Sequence, residues 1–398
     1  MFLERDNLRI IVGGIFLFFL FGCTDSRYLS EKLLWQANKK AVKLINEKNK
    51  KLSKKDIEKI ISFYREVINK TPLELPSAKA HFIITKIYLS QRKYSHAQQE
   101  LKEVVNNFSS QPEIASLAYF LLGKICEWQQ DDRGAYNNYE EILKRYPLTR
   151  IGLNIPIYLV RYYERDPQKK EKMYKKAIRH YNKLIEDFVG TNVVYIIKRY
   201  LASLYFVSSH FKEAEEIYQE LLKETKTKKG RFFLYQELVK CYEEERKLDE
   251  IIQILKKMRK EFSDSKINTA LPYLILHYCI EMKEKEATEK FYEQAVSYYG
   301  KIINNGERKK EAMNYLLLCY LEKKEYKEAV PLLEKLSTQY PLNPFYSLKL
   351  AEVYSKLQKA KDAYILYEKI KNKYSKNKLI VSYCREEMEK LKKQINEN

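Results

Sequence analysis

Apolar and polar positions alternate along the chain with a period of about 3.6 residues nearly from end to end, which predicts helices rather than strands. One alignment of that pattern repeats. Taking a small or branched residue as anchor gives Ile60, Ala97, Ala135, Ala177, Ala214, Ile251, Ala295, Ala329 and Ala363. Four residues on stand Tyr64, Leu101, Tyr139, Tyr181, Tyr218, Leu255, Tyr299, Leu333 and Tyr367. Three further on stand Val67, Val104, Ile142, Leu184, Leu221, Met258, Ile302, Leu336 and Ile370. Offsets of four and seven lie on one helical face, so each trio marks the core side of one helix. Nine residues upstream of the anchor a second marker recurs as Tyr88, Cys126, Tyr205, Tyr242, Tyr320 and Tyr354. Three residues before it a small or short side chain stands in four repeats, at Thr85, Gly123, Ala202 and Ala351. Each unit is therefore a pair of helices that approach closely and stack on the next pair, because one pair alone cannot cover its apolar face.

Successive anchors are 37, 38, 42, 37, 37, 44, 34 and 34 residues apart. The two long gaps precede similar segments, MYKKAIRHYNKLI and FYEQAVSYYGKII, each behind a charged helical extension. The segments LLGKICEWQQDDRGAYNNYEEILKRYP and LLLCYLEKKEYKEAVPLLEKLSTQYP carry small, aromatic and proline positions that resemble the tetratricopeptide (TPR) motif. This resemblance implies an all-α fold, a right-handed α-solenoid of about nine TPR-like helix pairs over residues 29–375, with a C-terminal capping helix in 376–398.

The amino terminus is different. Ile10 to Phe21 is a run of twelve apolar residues, counting two glycines. A bilayer-spanning helix needs about 20, whereas a signal-peptide core is of this size. The run ends in Leu20, Phe21, Gly22 and Cys23. These residues resemble the lipobox of bacterial lipoproteins, with an apolar residue three before the cysteine and a small one directly before it. Phe21 is bulkier than the residue usual there, and the leading segment sets Glu4 and Asp6 against Arg5 and Arg9. The resemblance implies a signal peptide over 1–22, lipidation of Cys23, and a short tether over 23–28. Several acyl chains would then hold the chain stably at a membrane.

Composition narrows the function. Only ten glycines and ten prolines occur in 398 residues, as expected of a chain helical throughout. The net charge of +21 raises nucleic acid as a partner, but lysine is spread over the polar side of the helical patterns, the distribution of a solvated face. No nucleic acid is therefore expected. Beyond Cys23 the five cysteines are Cys126, Cys241, Cys279, Cys319 and Cys384; an odd number cannot all pair within the chain. They lack metal-ligand spacing and read as small core residues. The five histidines are scattered, and no HExxH, GxSxG, P-loop or GxGxxG occurs. An enzyme, a cofactor, a metal and a small-molecule substrate are accordingly not expected.

First helices of such repeats line a concave surface suited to an extended peptide or a partner's helix. The alignment places Phe82, Lys86, Phe120, Lys124, Trp128, Arg199, Lys240 and Glu243 there. Lys86, Lys124 and Lys240 share one phase and would form a positive stripe for acidic or carboxylate-ending ligands. Trp128 is either an exposed anchor for a partner or packing under the QQDDRG turn. A lipid anchor on such repeats is broadly similar to the BamD-type outer-membrane assembly lipoproteins and to TPR pilus-assembly lipoproteins. That likeness implies a periplasmic protein-binding scaffold in envelope assembly, with the outer membrane favoured. An accessory that holds a peptidoglycan hydrolase, and an unexported cytoplasmic TPR adaptor, are the alternatives.

Overall fold

A computed structural model describes residues 25–48, 52–305 and 308–397. Leu20, Phe21, Gly22 and Cys23, with the signal-peptide expectation, lie outside the described residues. The described residues form nineteen α-helices and no strand. None of these helices is long and apolar enough to cross a membrane.

The first helices of the pairs are α1 (Asp25–Glu47), α3 (Leu75–Ser90), α5 (Pro112–Trp128), α7 (Arg150–Tyr162), α9 (Val193–Val207), α11 (Lys228–Glu244), α13 (Ile267–Glu281), α15 (Lys309–Glu322) and α17 (Pro344–Lys356). The second helices are α2 (Lys54–Lys70), α4 (Tyr94–Asn107), α6 (Asp132–Arg145), α8 (Pro167–Asp187), α10 (Phe211–Glu224), α12 (Leu248–Glu261), α14 (Lys285–Asn305), α16 (Tyr326–Gln339) and α18 (Ala360–Lys373). α19 (Lys378–Glu397) follows as the cap. All nine anchor positions fall on second helices. α1 already includes Asp25, four residues ahead of the expected Leu29.

The chain divides into two compact units, the first ending at Ser209 and the second starting at His210. Within each unit every helix packs on the next in sequence, and certain first helices also touch the following first helix: α1 on α3, α5 on α7 and α7 on α9 in the first unit, α13 on α15 in the second.

The anchors and the residues four and seven beyond them are buried, with one exception, Ile302, which is half-buried near the end of α14. Six tyrosines head the fully buried side chains, all at the position four beyond the anchor: Tyr64, Tyr139, Tyr181, Tyr218, Tyr299 and Tyr367. Burying so large a ring contributes on the order of 2 kcal/mol, provided the hydroxyl finds a partner. Tyr64 Oη donates to Asn38 of α1 at 2.9 Å and Tyr139 Oη to Glu127 of α5 at 2.7 Å. The hydroxyls thus tie second helices to first ones.

The two repeats behind the long gaps share a further device. Each has a 21-residue second helix, α8 or α14, and a proline inside its first helix, Pro156 in α7 or Pro272 in α13. Proline removes an amide donor and disturbs the carbonyls of the preceding turn. Tyr181 Oη donates to the carbonyl of Leu153 at 2.5 Å, and Tyr299 Oη to that of Thr269 at 2.8 Å. Both carbonyls lie three residues before the proline. The tyrosine therefore satisfies backbone that the proline displaces.

The small residue three before the upstream marker has a plain steric reason at Gly123. A Cβ built there would stand 2.4 Å from the Tyr139 ring. The marker itself sits at the third residue from the end of its helix, where it accepts a turn-closing bond. Lys93 N–H donates to the Tyr88 carbonyl, Asp131 to Cys126, Lys247 to Tyr242, Glu325 to Tyr320 and Lys359 to Tyr354; Cys279, at the same place in α13 although not at the marker spacing, accepts likewise from Glu284. These are Schellman turns, and they need one residue at positive φ, usually glycine. Here Arg92, Gln130, Arg246, Lys283, Lys324 and Gln358 occupy it at φ between 56° and 62°.

Candidate functional site

The first unit brings three of the expected surface residues, Phe120, Lys124 and Trp128, into one place. All lie on α5, spaced by four, so they form one helical stripe. α7 supplies the opposing stripe, Tyr158 and Tyr162. Phe120 is half-buried, its ring 5.9 Å from Tyr139 and 5.6 Å from Tyr158, edge to face with the latter. Tyr139 and Tyr158 meet edge to face at 5.5 Å, and Tyr158 stacks on Tyr162 at 6.2 Å. Such arrangements are those that aromatic quadrupoles favour.

Glu127 lies at the polar centre, its side chain only 6% exposed. It accepts from Tyr139 Oη at 2.7 Å and Tyr158 Oη at 2.5 Å, and forms a short ion pair with Lys124. Lys124 Nζ also donates to Tyr158 Oη at 2.8 Å. Burial pulls the Lys124 ammonium down, but its bonds to Glu127 and Tyr158 outweigh burial and leave it above the ordinary lysine value. Burial, reinforced by Glu127, pushes the Tyr139 and Tyr158 phenols up. Every polar group in the centre has a partner, so the network's role is to hold α5, α6 and α7 in one geometry.

On this base stand two exposed rings. Trp128 ends α5 and is 50% exposed; Tyr162 ends α7 and is 36% exposed. Each lies one turn beyond its partner in the Lys124–Tyr158 bond. Tyr162 Oη bonds to Asp132 Oδ1 at 2.9 Å and its ring meets Tyr163 at 4.9 Å, which fixes its orientation. Half of Trp128 is thus open to solvent rather than packed beneath the turn that follows it.

The other expected residues are placed elsewhere. Phe82 is half-buried against the Ala97 and Leu101 core, and Lys86 is exposed on α3. Arg199 is half-buried on α9. In the second unit Lys240 is exposed but paired with Glu237 at 2.7 Å, and Glu243 is exposed with Tyr278 Oη at 3.5 Å. The shared lysine phase is therefore not a row of uncompensated cations, since Lys124 and Lys240 each hold a glutamate three residues away. That glutamate was the available sequence signal. Tyr158 and Tyr162 were not foreseen, because α7 lacks the marker residues of the shorter repeats.

A second concavity, about 500 Å³, opens between α6, α7 and α8 over Pro156 and His180, with Lys144, Lys176 and Lys183 at its walls. Lys144 pairs with Glu140 at 3.4 Å and Lys176 bonds Tyr136 Oη at 2.9 Å. Burial, then Lys183, lowers the His180 pKa. Two more histidines face carboxylates: His81 Nδ1 lies 2.8 Å from Glu100, which also holds Arg65, and His277 Nδ1 lies 3.0 Å from Glu322. No group of three or more potential metal ligands occurs among the described residues. The five described cysteines are buried free thiols. Burial pushes Cys241 and Cys319 up to about 12 and Cys279 to about 11.

No protein-family model matches the chain, and no curated protein matches it. Solved structures similar to it include a tetratricopeptide repeat protein from Parabacteroides merdae, 15% identical, covering 72% of this chain and 99% of that one at a TM-score of 0.35. The type IV pilus biogenesis factor PilW is 13% identical, with 60% of this chain and 98% of PilW covered at 0.32. The Naa15/Naa10 assembly bound to HypK-THB is 13% identical over 93% of this chain and 62% of that one, at 0.35. At these scores the likenesses carry no functional argument, and the all-α repeat architecture rests on the helices and their register.

Proposed function

We propose that the chain is a protein-binding adaptor held at a bacterial envelope membrane by a lipid on Cys23, and that it engages its partner through the Trp128–Tyr162 patch. The observation that carries this proposal is the pairing of two exposed aromatic rings with a fully satisfied polar base beneath them. Binding energy at protein interfaces concentrates in aromatic anchors whose own surroundings are fixed beforehand. A catalytic use of the same centre is disfavoured by its chemistry: Glu127 already accepts from three donors, two at Oε1 and one at Oε2, which fill three of its roughly four acceptor positions, and its side chain is only 6% exposed. The lipobox residues Leu20, Phe21, Gly22 and Cys23 supply the envelope part of the proposal, with the periplasmic face of the outer membrane as the expected location.

Photo-crosslinking in living cells from position 128, with capture and identification of the product, tests the patch. Recovery of one envelope protein, lost in Tyr162→Ala, is the expected result. Recovery of glycan fragments would instead support the peptidoglycan alternative, and absence of any product would end the patch proposal. Radioactive palmitate tests the anchor. Uptake by the native chain and none by Cys23→Ala is expected, and equal labelling of both would remove the lipid from the account.

A further inference from the structure

We infer that the outer face of α1 is a membrane-surface contact, which lays Tyr28 and Trp35 among anionic phospholipid headgroups. The inference rests on the membrane-anchor proposal and adds to it an orientation and a lipid chemistry.

α1 divides sharply into two faces. Ser30, Leu33, Ala37 and Ala41 are buried and pack the helix on α2 and α3. On the opposite side, at spacings of four, three, four and four, stand Tyr28, Lys32, Trp35, Lys39 and Lys43, all exposed. Tyr28 is 64% exposed and Trp35 is 55% exposed. Tyrosine and tryptophan beside lysine, on one stripe of a helix, are the residues that settle at the boundary between headgroups and acyl chains.

The charges on this face fit an anionic surface. Lys32 and Lys39 have no carboxylate partner among the described residues, and Lys39 Nζ sits 5.0 Å above the Trp35 ring. Two of the acids on α1 are compensated: Glu31 faces Arg27 at 3.7 Å and Glu47 faces Lys43 at 3.8 Å. At the neighbouring edge Lys40 faces Glu66 of α2 at 3.8 Å.

Chain length supplies the proximity. The apolar run ends at Phe21 and the candidate lipidated residue is Cys23, while Asp25, two residues on, already belongs to α1. At roughly 3.5 Å per extended residue, the start of α1 stays within about 10 Å of the lipid. Tyr28 and Trp35 lie about 5 and 15 Å along the helix from that start. A helix so tethered that lies along the surface brings both rings to it; one that rises straight from it lifts Trp35 away.

The chain has two tryptophans, Trp35 and Trp128, so each can be made the sole reporter by replacing the other with phenylalanine. The full-length chain, isolated with its native lipid, is reconstituted into phosphatidylglycerol-containing vesicles carrying brominated acyl chains. In Trp128→Phe, Trp35 should lose about half of its emission, because bromine quenches indoles at the interfacial depth. In Trp35→Phe, Trp128 should keep its emission. Reversing Lys32 and Lys39 to glutamate should abolish the quench in the Trp128→Phe chain while it still floats with the vesicles. Flotation without quenching of Trp35, or equal quenching of both tryptophans, overturns the α1 contact and leaves the anchor standing. Failure to float at all overturns the anchor and this inference with it.

Discussion

Replacing Arg246 with glycine should stabilise the protein, although glycine inside a helix normally does the reverse. Arg246 stands two residues past the end of α11 at φ 57°, donates its N–H to the Glu243 carbonyl, and lets Lys247 donate to Tyr242. The left-handed conformation costs an L-residue about 1–2 kcal/mol. Glycine avoids that strain but loses about 0.5–1 kcal/mol more backbone entropy on folding. The difference is a gain of about 0.5–1 kcal/mol for Arg246→Gly, whose exposed side chain makes no ion pair among the described residues. Gln253, exposed in the middle of α12, is the internal comparison, since glycine there should cost about 0.5–1 kcal/mol. Urea unfolding followed by helical ellipticity should therefore move the two midpoints in opposite directions at unchanged slope. If Arg246→Gly and Gln253→Gly both fall by the same amount, the turn stores no strain and the reasoning fails. Arg92, Gln130, Lys283, Lys324 and Gln358 share the conformation; being far apart, their gains should add.

Gly123→Ala should destabilise by about 1–3 kcal/mol, because the added methyl meets a fully buried Tyr139 ring at 2.4 Å; an unchanged urea midpoint would mean that the ring moves aside without strain. Tyr181→Phe and Tyr299→Phe should each cost about 1–3 kcal/mol by leaving the Leu153 or Thr269 carbonyl without its donor, whereas a phenylalanine at the exposed Tyr28 should leave the midpoint in place. In a Cys23→Ala chain, thiol labelling at pH 8 should be slow until denaturant is added. With Cys279 held at about 11 by burial, its thiolate is about a hundredfold scarcer than in an ordinary cysteine. Rapid labelling of the native chain would show that the thiols are open to solvent.

Which features were legible in the sequence follows from where the constraint lies. The nine second helices were legible because burial dictates residue size: alanine or isoleucine where two helices cross, tyrosine or leucine one turn on. The reason for the upstream marker was not legible, since its carbonyl receives the turn-closing N–H and a backbone bond leaves no trace in side-chain type. The turn residue that makes that bond possible was hidden for a related reason. Glycine announces a left-handed turn, and here arginine, glutamine and lysine occupy the position. The candidate site was half legible. Phe120, Lys124 and Trp128 followed from helical phase alone, but their partners on α7 did not, because the lengthened α8 displaced the alignment by which a first helix is located from its anchor.

The charge of Lys124 shows the same limit in electrostatic form. By phase it belonged with Lys86 and Lys240 in a positive stripe, and phase is a statement about direction only. Whether a cation in that direction is available depends on what stands within about 4 Å, since attraction in a partly buried site falls off with both distance and solvent access. Glu127 is three residues along the same helix, and Tyr158 comes from a helix 34 residues away. The first partner neutralises the ammonium and the second encloses it. Lys124 therefore gives up its charge as a recognition element and becomes the strut that positions Tyr158, and through its stacking Tyr162, at the end of α7. A ligand of the first unit should accordingly be selected by its apolar, flat surfaces more than by acidity. Lys124→Met tests this. If α5 and α7 lose their relative geometry, partner capture from position 128 falls, and Lys124→Arg restores it only where the guanidinium still reaches both Glu127 and Tyr158. A variant that captures the partner normally while losing only its salt dependence would return Lys124 to the role of a recognition cation.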